Sequence, residues 1–228
     1  MNNNNFSWGA DTQTGETPAL MTQTIEEVWE ESVYEKYFEV EEGDIVLDIG
    51  ATTGDFTYII QNKKPKHCFV VEPTTHHFKT LQQNLMGYPV SFIKAAITDK
   101  KHLEVDWDGK TNARTLTFSE LIEQNGLDFV DFLKIDCEGG EYDVFKKEHI
   151  QYLKNIPKIA GEFHLWAGAF EIFEGELILK FSQFTKEILP HFTKYIVTSV
   201  DGVEITDRIY DKEFLNYYHQ VMVYIDNR

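Results

Sequence analysis

Ile45, Val46, Leu47 and Ile49 form an apolar run that is too short for a helix and is closed at once by Gly50, which predicts a buried central strand. Comparable runs lie at Cys68–Glu72, Val90–Thr98, Asp128–Asp136 and Ile156–His164. Between them, Asp55 to about Asn62, Thr75–Met86, the stretch from Thr117 and Glu141–His149 read as helices. Strand and helix in alternation predict a parallel sheet with right-handed crossovers. The tail breaks that rhythm. Tyr195–Val200 and Gln220–Ile225 read as strands with no convincing helix between them, so the last should run antiparallel beside its predecessor. The expected fold class is α/β, a single doubly wound Rossmann-like domain whose mostly parallel seven-stranded sheet ends in an antiparallel strand.

The flanks are less regular. Residues 1–20 are rich in Asn, Thr and Gly and read as a flexible arm that cannot repay its ordering by burial. Within 21–40, Ile25, Val28, Trp29, Val33 and Tyr37 recur at helical spacing, with Thr24 as N-cap and Glu27 at the capping-box position. Residues 44–165 read as the core that would bind a cofactor, and 166–228 as an acceptor side with the C-terminal strands. His102–Trp107 alternates like a short hairpin or edge strand, and Glu176–Leu189 reads as a helix stopped by Pro190. Trp166, Phe170 and Phe173 suit an acceptor pocket or ordinary core packing equally well.

Charge narrows the partners. Lys and Arg total 21 against 38 Asp and Glu, a formal charge of −17, which disfavours nucleic acid and anionic membrane surfaces. Cys68 and Cys137 sit beside apolar strands without a paired framework, as expected of reduced thiols in a cytoplasmic compartment. No run approaches membrane-spanning length, and no zinc-ligand spacing occurs.

The chemistry gathers at strand ends. Gly50-Ala-Thr-Thr-Gly54 lacks the middle glycine that a dinucleotide fingerprint places at Thr52, and no Gly-Lys-Ser/Thr ending of a phosphate loop exists. What remains is Asp48, the turn Gly50–Ala51–Thr52–Thr53–Gly54, and Glu72 about 20 residues on, where a carboxylate accepts ribose hydroxyls. Adenosine with a charged methionine tail fits this better than a pyrophosphate, which points to S-adenosylmethionine. At the fourth strand's end, Lys134, Asp136, Glu138 and Glu141 crowd one junction around Gly139-Gly140. A switch in winding between the first and fourth strands would put Asp136 and Glu138 beside Gly50, while Glu141 reads as a helix N-terminal acid. Glu162 and His164, two apart on a strand, share a face. His164 is the expected general base, oriented by a nearby carboxylate, with Asp136 and Glu138 positioning the acceptor. In a variant, Asp136, Glu138 and Glu162 hold magnesium or calcium that polarises the acceptor hydroxyl. His76 and His77 are assigned no role.

Taken together, Glu42–Gly54, Val71-Glu-Pro73, Lys94–Asp99, Val130–Glu141 and Gly161-Glu-Phe-His164 resemble the FkbM-type methyltransferase family, whose members transfer methyl groups from S-adenosylmethionine to hydroxyl oxygens. The resemblance runs from about Tyr37 to His164 and implies a class I methyltransferase domain. It implies cofactor contacts from Asp48, Gly50, Ala51, Thr52, Thr53, Gly54, Glu72, Pro73, Ala96 and Asp136. Lys134, Asp136, Glu138, Glu162 and His164 would face the acceptor, a hydroxyl of a sugar or other small molecule. The chain departs from the family at Thr52, where Asn is usual, and at Ser119, where an acid is usual. A nicotinamide-dependent nucleotide-sugar oxidoreductase or epimerase, or a non-catalytic module of the same fold, are the rival readings.

Overall fold

The computed structural model describes residues 32–100, 103–104, 112–165 and 176–228. The arm, the first positions of the expected N-terminal helix, and Trp166, Phe170 and Phe173 lie outside the described residues. The chain divides into two compact units, one ending at Leu116 and one beginning at Thr117.

The first unit builds β1 (Ile45–Ile49), α1 (Asp55–Ile60), β2 (His67–Val71), α2 (Thr75–Asn84) and β3 (Val90–Ile93). β1 pairs in parallel with β2 from Ile45↔His67 to Ile49↔Val71, and β2 with β3 from Cys68↔Val90. Val46, Leu47 and Ile49 are fully buried, as the unbroken apolar run predicted. On one face Ala51, Tyr58, Val70, Leu81 and Leu85 form a cluster that also packs Phe78, Val90 and Phe92. Gly54 makes the tight fit of this cluster possible. A Cβ there would stand 2.7 Å from Leu81 Cδ1, and its φ of +88° favours glycine.

Two expectations fail in this unit. The N-terminal helix was expected to reach residue 40, but the chain after Ser32 forms only a 3-10 turn, Val33–Glu35. The Glu35 carboxylate accepts the amide of Val40 at 2.6 Å and the Lys63 ammonium at 3.0 Å, which folds the segment back instead of extending it. The third strand stops at Ile93 rather than Thr98. Lys94 reaches Thr75 Oγ1 at 2.7 Å, and the chain then turns so that Ala96–Ile97 pairs in parallel with Thr115–Leu116. Of the piece expected as a short hairpin or edge strand, Leu103–Glu104 is described, and it pairs antiparallel with Asn112–Ala113.

The second unit carries α3 (Phe118–Asn125), β4 (Phe132–Ile135), α4 (Glu141–Val144), α5 (Ile150–Leu153), β5 (Lys158–His164), α6 (Glu176–Gln183), β6 (Tyr195–Ser199), α7 (Lys212–Leu215) and β7 (Gln220–Asp226). Thr117 and Glu120 close a full capping box at the start of α3. The helix expected over Glu141–His149 ends at Val144, because Phe145 leaves the helical conformation and packs among Phe163, Phe184 and Phe192. His149 then caps the break: Nδ1 lies 2.8 Å from the Val144 carbonyl and Nε2 lies 3.2 Å from Ser119 Oγ. Ser119 thus braces this corner. Pro190 does not stop the later helix as expected. α6 widens into a π-helix at Phe184–Ile188, with Phe184 stacked on Phe163 at 4.6 Å, and Pro190 sits within a following 3-10 turn, Leu189–His191.

β7 runs antiparallel to both β5 and β6 and is inserted between them, as the tail predicted. The sequence missed α7 in the connection, a short helix capped by Asp211, which accepts the amide of Phe214. The seven strands are ordered β6-β7-β5-β4-β1-β2-β3, a mostly parallel sheet with an antiparallel C-terminal strand. This is the α/β Rossmann-like class that the sequence predicted. Among the described residues no helix is long and apolar enough to cross a membrane.

Candidate active site

In the first unit the site is the turn after β1. Gly50, Thr52 and Gly54 all take positive φ, 81°, 49° and 88°. Glycine adopts this freely; threonine, with its branched Cβ, does so at a cost. The turn is fastened by its own amides. Gly50 and Ala51 donate to the Val71 carbonyl at 2.9 and 3.0 Å, Gly54 donates to Ala51 at 2.7 Å, and Thr52 donates to Glu72 Oε2 at 3.1 Å. Asn84 on α2 donates to the Thr53 carbonyl at 2.9 Å. Asp48 has no exposed surface and accepts the Thr57 hydroxyl at 2.7 Å, bracing the turn against α1 from beneath.

Glu72 is equally fixed. Its Oε1 accepts the Thr74 amide at 2.8 Å and the Thr74 hydroxyl at 2.5 Å, and only 4% of the residue is exposed. Pro73 separates these two residues and ends β2. His77 Nδ1 lies 3.8 Å from Glu72 Oε1, yet burial, and then the neighbouring His76, lower His77 to about 4, so it is a neutral ring. Ala96 lies in the short strand paired with Thr115. Most of the turn's amides are thus spent inside the protein, and the charges around them are carboxylates. Such a turn is a poor cradle for a phosphate and a suitable one for a nucleoside bearing a cation.

In the second unit the site surrounds His164 at the end of β5. Nδ1 lies 3.1 Å from Glu141 Oε1, and Nε2 lies 3.4 Å from Glu138 Oε2 and 3.5 Å from Glu162 Oε1. Glu141 is fully buried. Its Oε1 also accepts the amides of Cys137 at 2.9 Å and Gly139 at 3.2 Å, while its Oε2 has no hydrogen-bond partner among the described residues. Burial alone would lower the imidazole's pKa, but Glu141, then Glu138 and Glu162, outweigh it and hold His164 well above the ordinary range. Tyr142 fixes the strand end by donating to the His164 carbonyl at 2.7 Å. Lys134, 2% exposed, lies 3.8 Å from Asp136 Oδ2.

The sequence therefore named most of this group, with two corrections. Glu141 is more than a helix cap: it is the carboxylate that orients His164, and nothing in the local sequence links residues 23 apart. The cation variant placed Asp136, Glu138 and Glu162 on one ion, but the fold distributes them otherwise. Asp136 is drawn to Lys134, and Glu138 and Glu162 flank the imidazole. The atoms that do converge, within 4.8 Å, belong to Asp136, Glu141 and His164.

Comparison with known proteins agrees with this architecture. Residues 48–195 match the methyltransferase FkbM domain. The hexuronic acid methyltransferase AglP of Haloferax volcanii is 25% identical over 157 residues, 58% of this chain and 65% of that protein, so the chain spans just under two thirds of its relative. A Klebsiella pneumoniae protein assigned as an O-methyltransferase superposes with a TM-score of 0.50 at 14% identity, over 91% of this chain and 80% of the other, and supports the fold alone. The family match covers well over half of the chain and contains Asp48, the glycine turn, Glu72, the β4 junction and His164: the chain belongs to the FkbM methyltransferase domain family.

Proposed function

We propose that this chain transfers a methyl group from S-adenosylmethionine to a hydroxyl oxygen of a sugar or another small molecule. The observation that carries the donor assignment is the glycine turn whose amides face inward to Val71, Ala51 and Glu72, flanked by the buried acids Asp48 and Glu72. A pyrophosphate would find few free amides and two nearby negative charges there. An adenosine with a cationic tail finds a carboxylate for its ribose at Glu72, and the Asp48 charge attracts its ammonium.

When bound, the donor supplies an electrophilic methyl on a sulfonium. Displacement requires acceptor oxygen, methyl carbon and sulfur in one line, sheltered from water. The residues of the turn, with Glu72, Pro73 and Ala96, would hold the donor. Lys134, Asp136, Glu138, Glu162 and His164 would position the acceptor and manage its proton. A sugar acceptor is favoured by the relative that acts on a hexuronic acid.

Calorimetric titration with S-adenosylhomocysteine, alongside NAD, tests this reading. Saturable binding of the first and none of the second is expected. Binding of NAD alone would replace the reading with a nicotinamide enzyme, and binding of neither would leave the chain without a donor site.

A further inference from the structure

The geometry around His164 points to a different proton acceptor from the one the sequence suggests: we propose that Glu138 takes the acceptor hydroxyl's proton and that His164 is a positioning residue. The inference rests on the methyl-transfer reading above.

Both ring nitrogens of His164 face carboxylate oxygens, Nδ1 toward Glu141 at 3.1 Å and Nε2 toward Glu138 and Glu162 at 3.4 and 3.5 Å. A bare ring nitrogen in either place would set its lone pair against a carboxylate lone pair. Both nitrogens therefore carry hydrogen, and an imidazolium has no lone pair with which to accept a proton. Glu141 needs that positive charge, because it is fully buried and its Oε2 is unpaired among the described residues.

The remaining groups are the carboxylates. Glu141 is buried and spent on backbone amides. Glu162 is 11% exposed at its side chain, and Asp136 has Lys134 beside it. Glu138 is 64% exposed at its side chain, so it meets solvent while still touching the imidazole. Its backbone has a φ of 53° next to Gly139 at 98°. That left-handed conformation is costly for a residue with a Cβ and persists where surrounding structure imposes it, as at working sites.

In the step itself the acceptor O–H bond breaks and its proton passes to a Glu138 oxygen. The oxygen's electron pair forms the O–CH3 bond while the C–S bond of the sulfonium breaks onto sulfur, leaving a neutral thioether. Glu138 returns its proton to water afterwards. His164, held by Glu141, keeps Glu138 in place and stays protonated throughout.

The test uses the full chain and its Glu138→Gln and His164→Gln variants. S-adenosylhomocysteine titration comes first: if the wild type does not bind it, the methyl-transfer reading fails, which is distinct from the outcomes below. Turnover is then followed with labelled donor on methyl glucoside and methyl glucuronide, and ¹⁵N spectra report the His164 ring. Glu138→Gln should lower turnover about 100-fold or more and remove the acid limb of its pH profile, with S-adenosylhomocysteine affinity within about twofold of wild type. His164→Gln should keep that limb. Wild-type turnover in Glu138→Gln, or loss of the limb in His164→Gln alone, overturns the assignment. If neither sugar is methylated the ring decides: two protonated nitrogens at pH 7.5 support the proposal, and a neutral ring overturns it.

Discussion

Glu141 Oε1 lies 3.1 Å from His164 Nδ1, and each group is buried in a place where it needs the other. Removing one member of a buried pair leaves an uncompensated charge, which costs about 3–5 kcal/mol. His164→Ala should therefore unfold in urea well before the wild type, and low turnover in that variant would say little about proton transfer. The double variant Glu141→Gln/His164→Gln should recover much of the loss, since two neutral amides leave no stranded charge. A double variant no more stable than His164→Ala would contradict the pairing.

The two perturbed histidines should limit stability from opposite sides of neutrality. His164 binds its proton more tightly when folded, so its contribution is full below the ordinary value of about 6.5 and is lost as pH rises toward its raised folded value. His77 is lowered to about 4 by burial and by His76. Between about 6.5 and 4 the unfolded chain binds the extra proton, so stability falls as pH falls. Urea midpoints across pH 4–9 should show His164→Gln flattening the alkaline slope and His77→Gln the acid one. Slopes unchanged in both variants would remove the histidines from the account.

What the sequence displayed of this fold was local. β1 and its turn were legible because an apolar run of strand length ends at Gly50, and because Gly50 and Gly54 stand where positive φ is needed. The antiparallel β7 was legible from the missing crossover helix. What stayed hidden depended on partners far away in the chain. Glu141 looked like a helix-start acid because its ligand, His164, arrives only at the end of the next strand. α4 looked longer than it is because Phe145 fits a helical pattern, yet its ring is claimed by Phe163, Phe184 and Phe192. His164 stood out in the sequence at a strand end, but its charge state depends on three carboxylates whose convergence no spacing rule displays.

Thr52 carries strain that can be relieved. A β-branched residue at a φ of 49° is an outlier, whereas asparagine enters the left-handed region more readily. Since only the Thr52 amide is used to hold Glu72, Thr52→Asn keeps that bond in the structure as described. The variant should be more stable by about 0.5–1 kcal/mol, with S-adenosylhomocysteine affinity within about twofold of wild type. A loss of stability would mean that the threonine side chain contributes packing that outweighs its backbone cost.

Glu72 should matter to the fold and to the donor at once. Its oxygens accept the Thr52 amide, the Thr74 amide and the Thr74 hydroxyl, so Glu72→Gln presents an NH2 group to donors on one side or the other. A buried donor facing a donor costs about 1–3 kcal/mol, and here the cost falls on the turn that would hold the ligand. Urea denaturation should register the loss without any ligand, and S-adenosylhomocysteine affinity should drop by about 10-fold or more. Thr74→Val deletes one hydroxyl donor and leaves both amides in place, so it should reduce both quantities less. If Glu72→Gln weakened binding while leaving stability unchanged, the carboxylate would be a ligand contact only; if stability fell and affinity held, it would be a brace only, and the ribose assignment would be wrong.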